Sequence, residues 1–273
     1  MLRGEMELLD FARDVLAREK IEYVSVLSLS HCDVVRPYLL ERAGISDKGC
    51  AIMLAVPYYV AEEGERNLSL YAVPRDYHLY FNELFGRILP LLQEVFPGHI
   101  FAGFADHSPI DEIKAAARAG LGVIGKNRLL ITEKYSSFVF LGEIVCDMPY
   151  DGPCGEINEC EKCGLCYSAC PVQLDCDRCL SALSQKKGEL TEKEAELLLS
   201  GGSAWGCDLC QTACPHSKKA KNTEIDFFMK GRLSYITSDI INNMSEGEFE
   251  ERAYSWRKRK TILRNLHYFE TRE

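Results

Sequence analysis

Of the 13 cysteines in this 273-residue chain, ten fall between Cys154 and Cys214, and Cys32, Cys50 and Cys146 precede them. Disulfide frameworks of that density belong to small secreted domains. The start of this chain, MLRGEMELLDFARDVLAREK, has no signal-peptide core and reads as an amphipathic helix. Metal ligation is therefore the expectation. The run Cys160-x2-Cys163-x2-Cys166-x3-Cys170-Pro171 matches the bacterial ferredoxin pattern at every position. In that pattern three thiolates wrap one 4Fe–4S cubane, and the fourth reaches across to a second cubane. A second run, Cys207-x2-Cys210-x3-Cys214-Pro215, has the same tail but lacks a leading cysteine, which Cys176 or Cys179 can supply. Reciprocal ligation then assigns Cys160, Cys163, Cys166 and Cys214 to one cluster. Cys170, Cys207, Cys210 and one of Cys176 or Cys179 take the other. Zinc knuckles would use the C-x2-C pairs but give no reason for the two x3-Cys-Pro endings.

The elements that must carry these loops follow from hydrophobic period. Ile21–Leu29, Ala51–Tyr59 and Ser137–Val145 read as strands and Tyr77–Phe96 as a helix, so residues 1–150 form an α/β or α+β domain with its own core. From Met148 the chain turns to Pro, Gly, Asp and Cys. Residues 151–225 are then a small ferredoxin-like domain that needs metal to staple it. Residues 226–273 regain helical period and are expected to pack back on the first domain. No apolar run approaches the length of a membrane span, and a cytoplasmic monomer is the expectation. The net charge of −9 argues against a surface that is basic all round. Arg257, Lys258, Arg259, Lys260 and Arg264 concentrate positive charge locally, with Lys186, Lys187, Lys218 and Lys219 around the cysteines. A solvated helix face is the plain alternative.

Gly120-Leu-Gly122-Val-Ile-Gly125-Lys126 satisfies G-x-G-x-x-G and nearly satisfies a P-loop. Context is against both readings. A nucleotide loop follows a strand and opens a helix, whereas this one follows the Ala-rich stretch Asp111–Ala119 and leads into the strand-like LLIT. Asn127 also stands where a P-loop needs a hydroxyl. These glycines read as a helix C-cap and a sharp turn.

Asp106-His-Ser-Pro109-Ile-Asp-Glu112, followed by AAARAGLGVIGKNRLLI and FVFLGEI, resembles the core of the epoxyqueuosine reductases. Further matches are Tyr71-Ala72, Arg75-Asp76-Tyr77-His78, Arg178-Cys179-Leu180-Ser181 and Gly206-Cys207-Asp208-x-Cys210-Gln211. The resemblance spans roughly residues 50–270. Two departures are Val123, where the family has tryptophan after GLG, and Ile113, where it has arginine after the glutamate.

The resemblance implies a flavin-reductase/nitroreductase-type α+β domain that binds base-off cobalamin, fused to the ferredoxin-like domain. It selects Cys179 over Cys176 as the cluster ligand and leaves Cys154 and Cys176 without a role. It implies electrons from an external low-potential donor, a cob(I)alamin nucleophile, and an aspartate, Asp106 here, that protonates the epoxide oxygen. Leu130, Leu141, Ser181 and Asp208 would lie near the corrin, and the substrate would be a tRNA anticodon loop. The physics of Asp106 stands by itself. To donate near neutrality its pKa must rise from about 3.9 to about 7, a cost of about 4 kcal/mol that burial could impose. The alternative for Asp106 is a helix N-cap. Alternatives for the whole chain are a related reductase of a small molecule, or an electron-transfer protein without cobalamin.

Overall fold

The computed structural model describes residues 2–61 and 64–271, and the side chains from residue 7 onward. Its contacts divide the chain into two units, one of residues 1–57 and 80–162, the other of residues 58–79 and 163–273. The architecture is mixed α/β. Among the described residues no helix is long and apolar enough to cross a membrane.

The first unit is built on an antiparallel sheet. Its strands are β1 (Tyr23–Ser28), β2 (Cys50–Pro57), β3 (Phe101–Phe104) and β6 (Val139–Cys146), in the order β1-β2-β6-β3. Every residue of β2 is buried, as a continuous apolar run flanked by strands and covered on both faces requires. Its register against β6 pairs Cys50 with Cys146 and Met53 with Glu143. Two helices cover the faces. On α4 (Glu112–Arg118), Ala115, Ala116 and Ala117 enter one core cluster with Leu27, Ala51, Met53, Ala55, Leu130 and Val145. Small side chains let that helix lie close to the sheet. α3 (Tyr77–Val95) brings Phe81 against Gly142 and Phe85 against Gly103, where a Cβ would stand 2.5 Å from the Phe85 ring. Residues of β6 alternate between these faces, so Leu141, Glu143 and Val145 share the α4 side.

α4 begins at Asp111, whose side chain accepts the Lys114 N–H at 3.1 Å. Asp106 is therefore not the N-cap, and that alternative is set aside. The helix ends as the glycines foretold. Gly120 has φ +79°, and Leu121 N–H closes back on Ala116 O at 3.0 Å, a Schellman cap. The chain then forms a short hairpin of β4 (Val123–Ile124) and β5 (Leu130–Ile131).

In the second unit, residues 226–271 share a core with residues 58–79. Trp205 and Tyr254, both fully buried, pack with Leu68, Ala72, Val73, Ile236 and Phe249. Ile262 and Leu266 of the carboxy-terminal helix Arg259–Glu270 join them. That helix also carries Asn265, 0% exposed, which donates to Ser184 O at 2.8 Å and Ala204 O at 2.7 Å. One polar side chain thus fixes two segments that precede the second cysteine run.

Candidate functional site

All 13 cysteines are free thiols. In the second unit those of the two motifs fall into two neighbourhoods. Cys214, buried at the end of the second run, is influenced electrostatically by Cys163 and Cys166, and Cys207 by Cys179 and Cys170. Burial pushes Cys207 up to about 11 and also raises Cys214. Thiols held that way ionise only against local positive charge, which bound iron provides. Among the described residues no three His, Cys, Asp or Glu converge as on a single metal ion. Cubane thiolates each sit on a separate iron and so stand further apart. Cys176 and Cys154 are exposed, and Cys154 lies close enough to Cys32 in the first unit to influence it.

Cys160 sits in the first unit and has a partner that sequence reading did not anticipate. The rejected glycine motif runs beside it. Ile124 N–H donates to Asn158 O at 2.8 Å, Cys160 N–H donates to Ile124 O at 3.1 Å, and Lys126 N–H donates to Cys160 Sγ at 3.3 Å. The hairpin loop therefore holds a cysteine with its main chain.

Asp106 lies just after β3, exposed, with φ +65°. Its N–H donates to Glu112 Oε1 at 3.2 Å. The next residue, His107, has its Nε2 2.8 Å from the Tyr38 hydroxyl. Beneath the loop Ser108, 1% exposed, donates its hydroxyl to Glu143, itself 0% exposed on β6. The Glu112 and Glu143 carboxyls are hydrogen-bond neighbours. Burial raises Glu112 to about 7 and lifts Glu143 well above the carboxylate range.

The residues expected near a corrin are placed as follows. Leu130 is buried, and Leu141, half-buried, packs against the same α4-side cluster. In the second unit Ser181 is half-buried near the start of α6 (Leu180–Ser184), where its hydroxyl accepts from Gln185 Nε2 at 3.3 Å. Asp208 is held by three donors. Its buried carboxylate accepts Leu70 N–H at 2.8 Å, the Ser69 hydroxyl at 2.5 Å and the Arg66 guanidinium at 2.5 Å. It ties the second cysteine run to residues 66–70.

The basic cluster needs correction at two positions. Arg264 is 8% exposed and donates to the carbonyls of Lys186 and Gly188 and to Asn265 Oδ1. Arg259 donates to Met244 O, Ser245 O and Glu246, over the Phe249 ring. Both guanidiniums are spent inside the second unit. Lys258 and Lys260 remain exposed, and Arg257 stacks on exposed Trp256 at 3.8 Å.

No protein-family model matches the chain. Over 217 residues it is 34% identical to the epoxyqueuosine reductase of Gloeobacter violaceus, an alignment covering 73% of this chain and 67% of the relative. It is 33% identical over 207 residues to that of Aliivibrio fischeri, covering 73% of this chain and 52% of the relative. The chain thus spans between half and two thirds of the length of these curated relatives. A crystal structure of selenomethionine-labelled epoxyqueuosine reductase superposes with a TM-score of 0.77 at 23% identity, covering 98% of this chain and 81% of that one. Another, of epoxyqueuosine reductase with an epoxyqueuosine-modified tRNA-Tyr stem loop, gives 0.75 at 23%, covering 95% and 80%. The chain is an oxidoreductase. It belongs to the epoxyqueuosine reductase family.

Proposed function

We propose that this chain reduces epoxyqueuosine in tRNA to queuosine, using two 4Fe–4S clusters and cobalamin, with Asp106 as proton donor. The observation that carries this reading is the division of cysteines into Cys163, Cys166 and Cys214 on one side and Cys170, Cys179 and Cys207 on the other. Interlocked ferredoxin motifs require that pairing. By spacing, Cys160 completes the first set and Cys210 the second.

The frame is an α+β domain of flavin-reductase type joined to a ferredoxin-like domain. Cobalamin would supply a reduced cobalt nucleophile when bound. The residues that would hold it are Leu130, Leu141, Ser181 and Asp208, with half-buried Leu141 giving an apolar edge beside Leu130 and Ser181 a hydroxyl. His107, the histidine beside Asp106, is engaged by the Tyr38 hydroxyl. Opening an epoxide to an alkene consumes two electrons and two protons and releases water. An external low-potential donor would supply the electrons, which the clusters would pass on. Asp106 delivers one of the two protons to the epoxide oxygen as its first bond to carbon breaks, and the second, from solvent, lets that oxygen leave as water when its other bond breaks. The carboxyl is exposed in the free protein, so the desolvation that keeps it protonated comes from covering by substrate and corrin.

The acidic chain meets RNA through Arg257, Lys258 and Lys260, together with Lys187, Lys218 and Lys219. An anticodon-loop nucleotide reaches the pocket at less cost than a duplexed one. The test uses anaerobic protein, cobalamin, a low-potential reductant and tRNA carrying epoxyqueuosine, with queuosine detected by mass spectrometry. Asp106→Asn should retain cobalamin and lower turnover by about 10² to 10⁴-fold. A wild-type protein that binds no tRNA even at low salt points instead to a small-molecule substrate.

A further inference from the structure

Glu143 occupies a position on β6 that its neighbours Leu141 and Val145 mark as core. A carboxyl with no exposure has given up water and needs donors in its place. The Ser108 hydroxyl supplies one, but Oε2, equally buried, has no donor. What faces Glu143 is another carboxyl, Glu112, the first residue of α4. Two carboxylates cannot bond to each other. With one proton between them the orphaned oxygen gains its partner and the repulsion disappears. The other ionisable groups around the pair are few. The Arg36 guanidinium, which also donates to Ser108 O at 2.9 Å, favours ionised Glu112. The Asp106 N–H also favours ionised Glu112 while the Asp106 carboxylate opposes it, and Glu143 also acts on Cys32.

Both members of the pair hold the same loop. Glu112 accepts the Asp106 N–H, and Glu143 accepts the Ser108 hydroxyl. Between these anchors Asp106 adopts φ +65°, a left-handed conformation uncommon for residues with a Cβ and best tolerated by Asp and Asn. We propose that Glu112 and Glu143 are positioning residues that share one buried proton and clamp the loop 106–108, so that the Asp106 carboxyl is held for its reaction. The role assigned to the clamp rests on Asp106 being the donor; the clamp itself does not. An ionised acceptor binds an N–H more strongly than a neutral one. The clamp therefore tightens as Glu112 ionises while Glu143 retains the proton.

The test uses the full chain with its metal in place and needs neither substrate nor cobalamin. Glu112→Ala should speed hydrogen exchange of the Asp106 amide by about tenfold while β6 amides keep wild-type rates, and Glu112→Gln, which still presents Oε1, should stay close to wild type. Infrared difference spectra at about pH 8 should contain a protonated-carboxyl band that Glu143→Gln removes. In turnover, Glu112→Ala should lower kcat with little change in KM, and Glu112→Gln should shift the pH profile near neutrality. Unchanged Asp106 exchange in Glu112→Ala, or no protonated-carboxyl band, overturns the proposal. An inactive wild type would count against the proposed function, while exchange and infrared still decide the clamp.

Discussion

Replacing Asp208 by asparagine separates an anchor from a cofactor contact. The carboxylate accepts from Arg66, the Ser69 hydroxyl and Leu70 N–H, and its side chain is only 5% exposed. An amide keeps the shape but offers one accepting oxygen. Its NH2 must then confront a donor that the second carboxylate oxygen had satisfied. Losing a charge-assisted bond costs about 1.5–3 kcal/mol, and stranding a buried donor costs about 1–3 kcal/mol more. The variant should therefore destabilise the second unit by about 2.5–6 kcal/mol. Trp205, 0% exposed in that unit, reports its unfolding by fluorescence against exposed Trp256. Cys207 and Cys210 flank the substitution, so chelator-driven iron release should also accelerate. A variant within about 1 kcal/mol of wild type, with unchanged iron release, would refute the anchoring role.

Glu112 titrates near 7 in the folded protein against an ordinary 4.5, so the native state holds a proton that the unfolded chain has released. Stability should therefore fall as pH rises from about 4.5 to about 7, Glu112 alone contributing about 3 kcal/mol, and fall less steeply above, where Glu143 still holds its proton. Glu112→Gln should flatten that slope in denaturation measured across the window. For RNA, neutralising Arg257 and Lys258 together should reduce the slope of log affinity against log salt by about one to two units. Arg264→Ala should instead lower the melting temperature, because its guanidinium is bound to backbone carbonyls inside the second unit.

Strong periodic patterns were readable in advance. The helix expected at Tyr77–Phe96 is Tyr77–Val95, and the strands expected at Ala51–Tyr59 and Ser137–Val145 are Cys50–Pro57 and Val139–Cys146. β3, with two small residues among its four, carries too little pattern to announce itself. Glu143 was invisible for another reason. In a strand, a polar residue among apolar ones normally marks the solvent side. Here the marker is inverted, because Ser108 and Glu112 meet the carboxyl from beyond the sheet. Asp106 read as a cap because a proline three residues on often opens a helix, whereas helical dihedrals begin only after Asp111, which the spacing does not reveal. Arg259 and Arg264 looked like free charge because their partners are backbone carbonyls, some from distant segments, which leave no trace in a charge pattern.

The Lys126 N–H on Cys160 Sγ carries a consequence for redox tuning. A hydrogen bond drains electron density from a cluster thiolate and so favours the reduced state, raising the midpoint potential of the cubane that Cys160 would ligate. The donor is a main-chain amide, so a side-chain substitution at position 126 keeps this hydrogen bond. Proline is the exception, since it alone removes the donor. A glycine-bearing turn that cradles no phosphate would thereby set the step in potential between two otherwise similar clusters, and with it the direction in which electrons run.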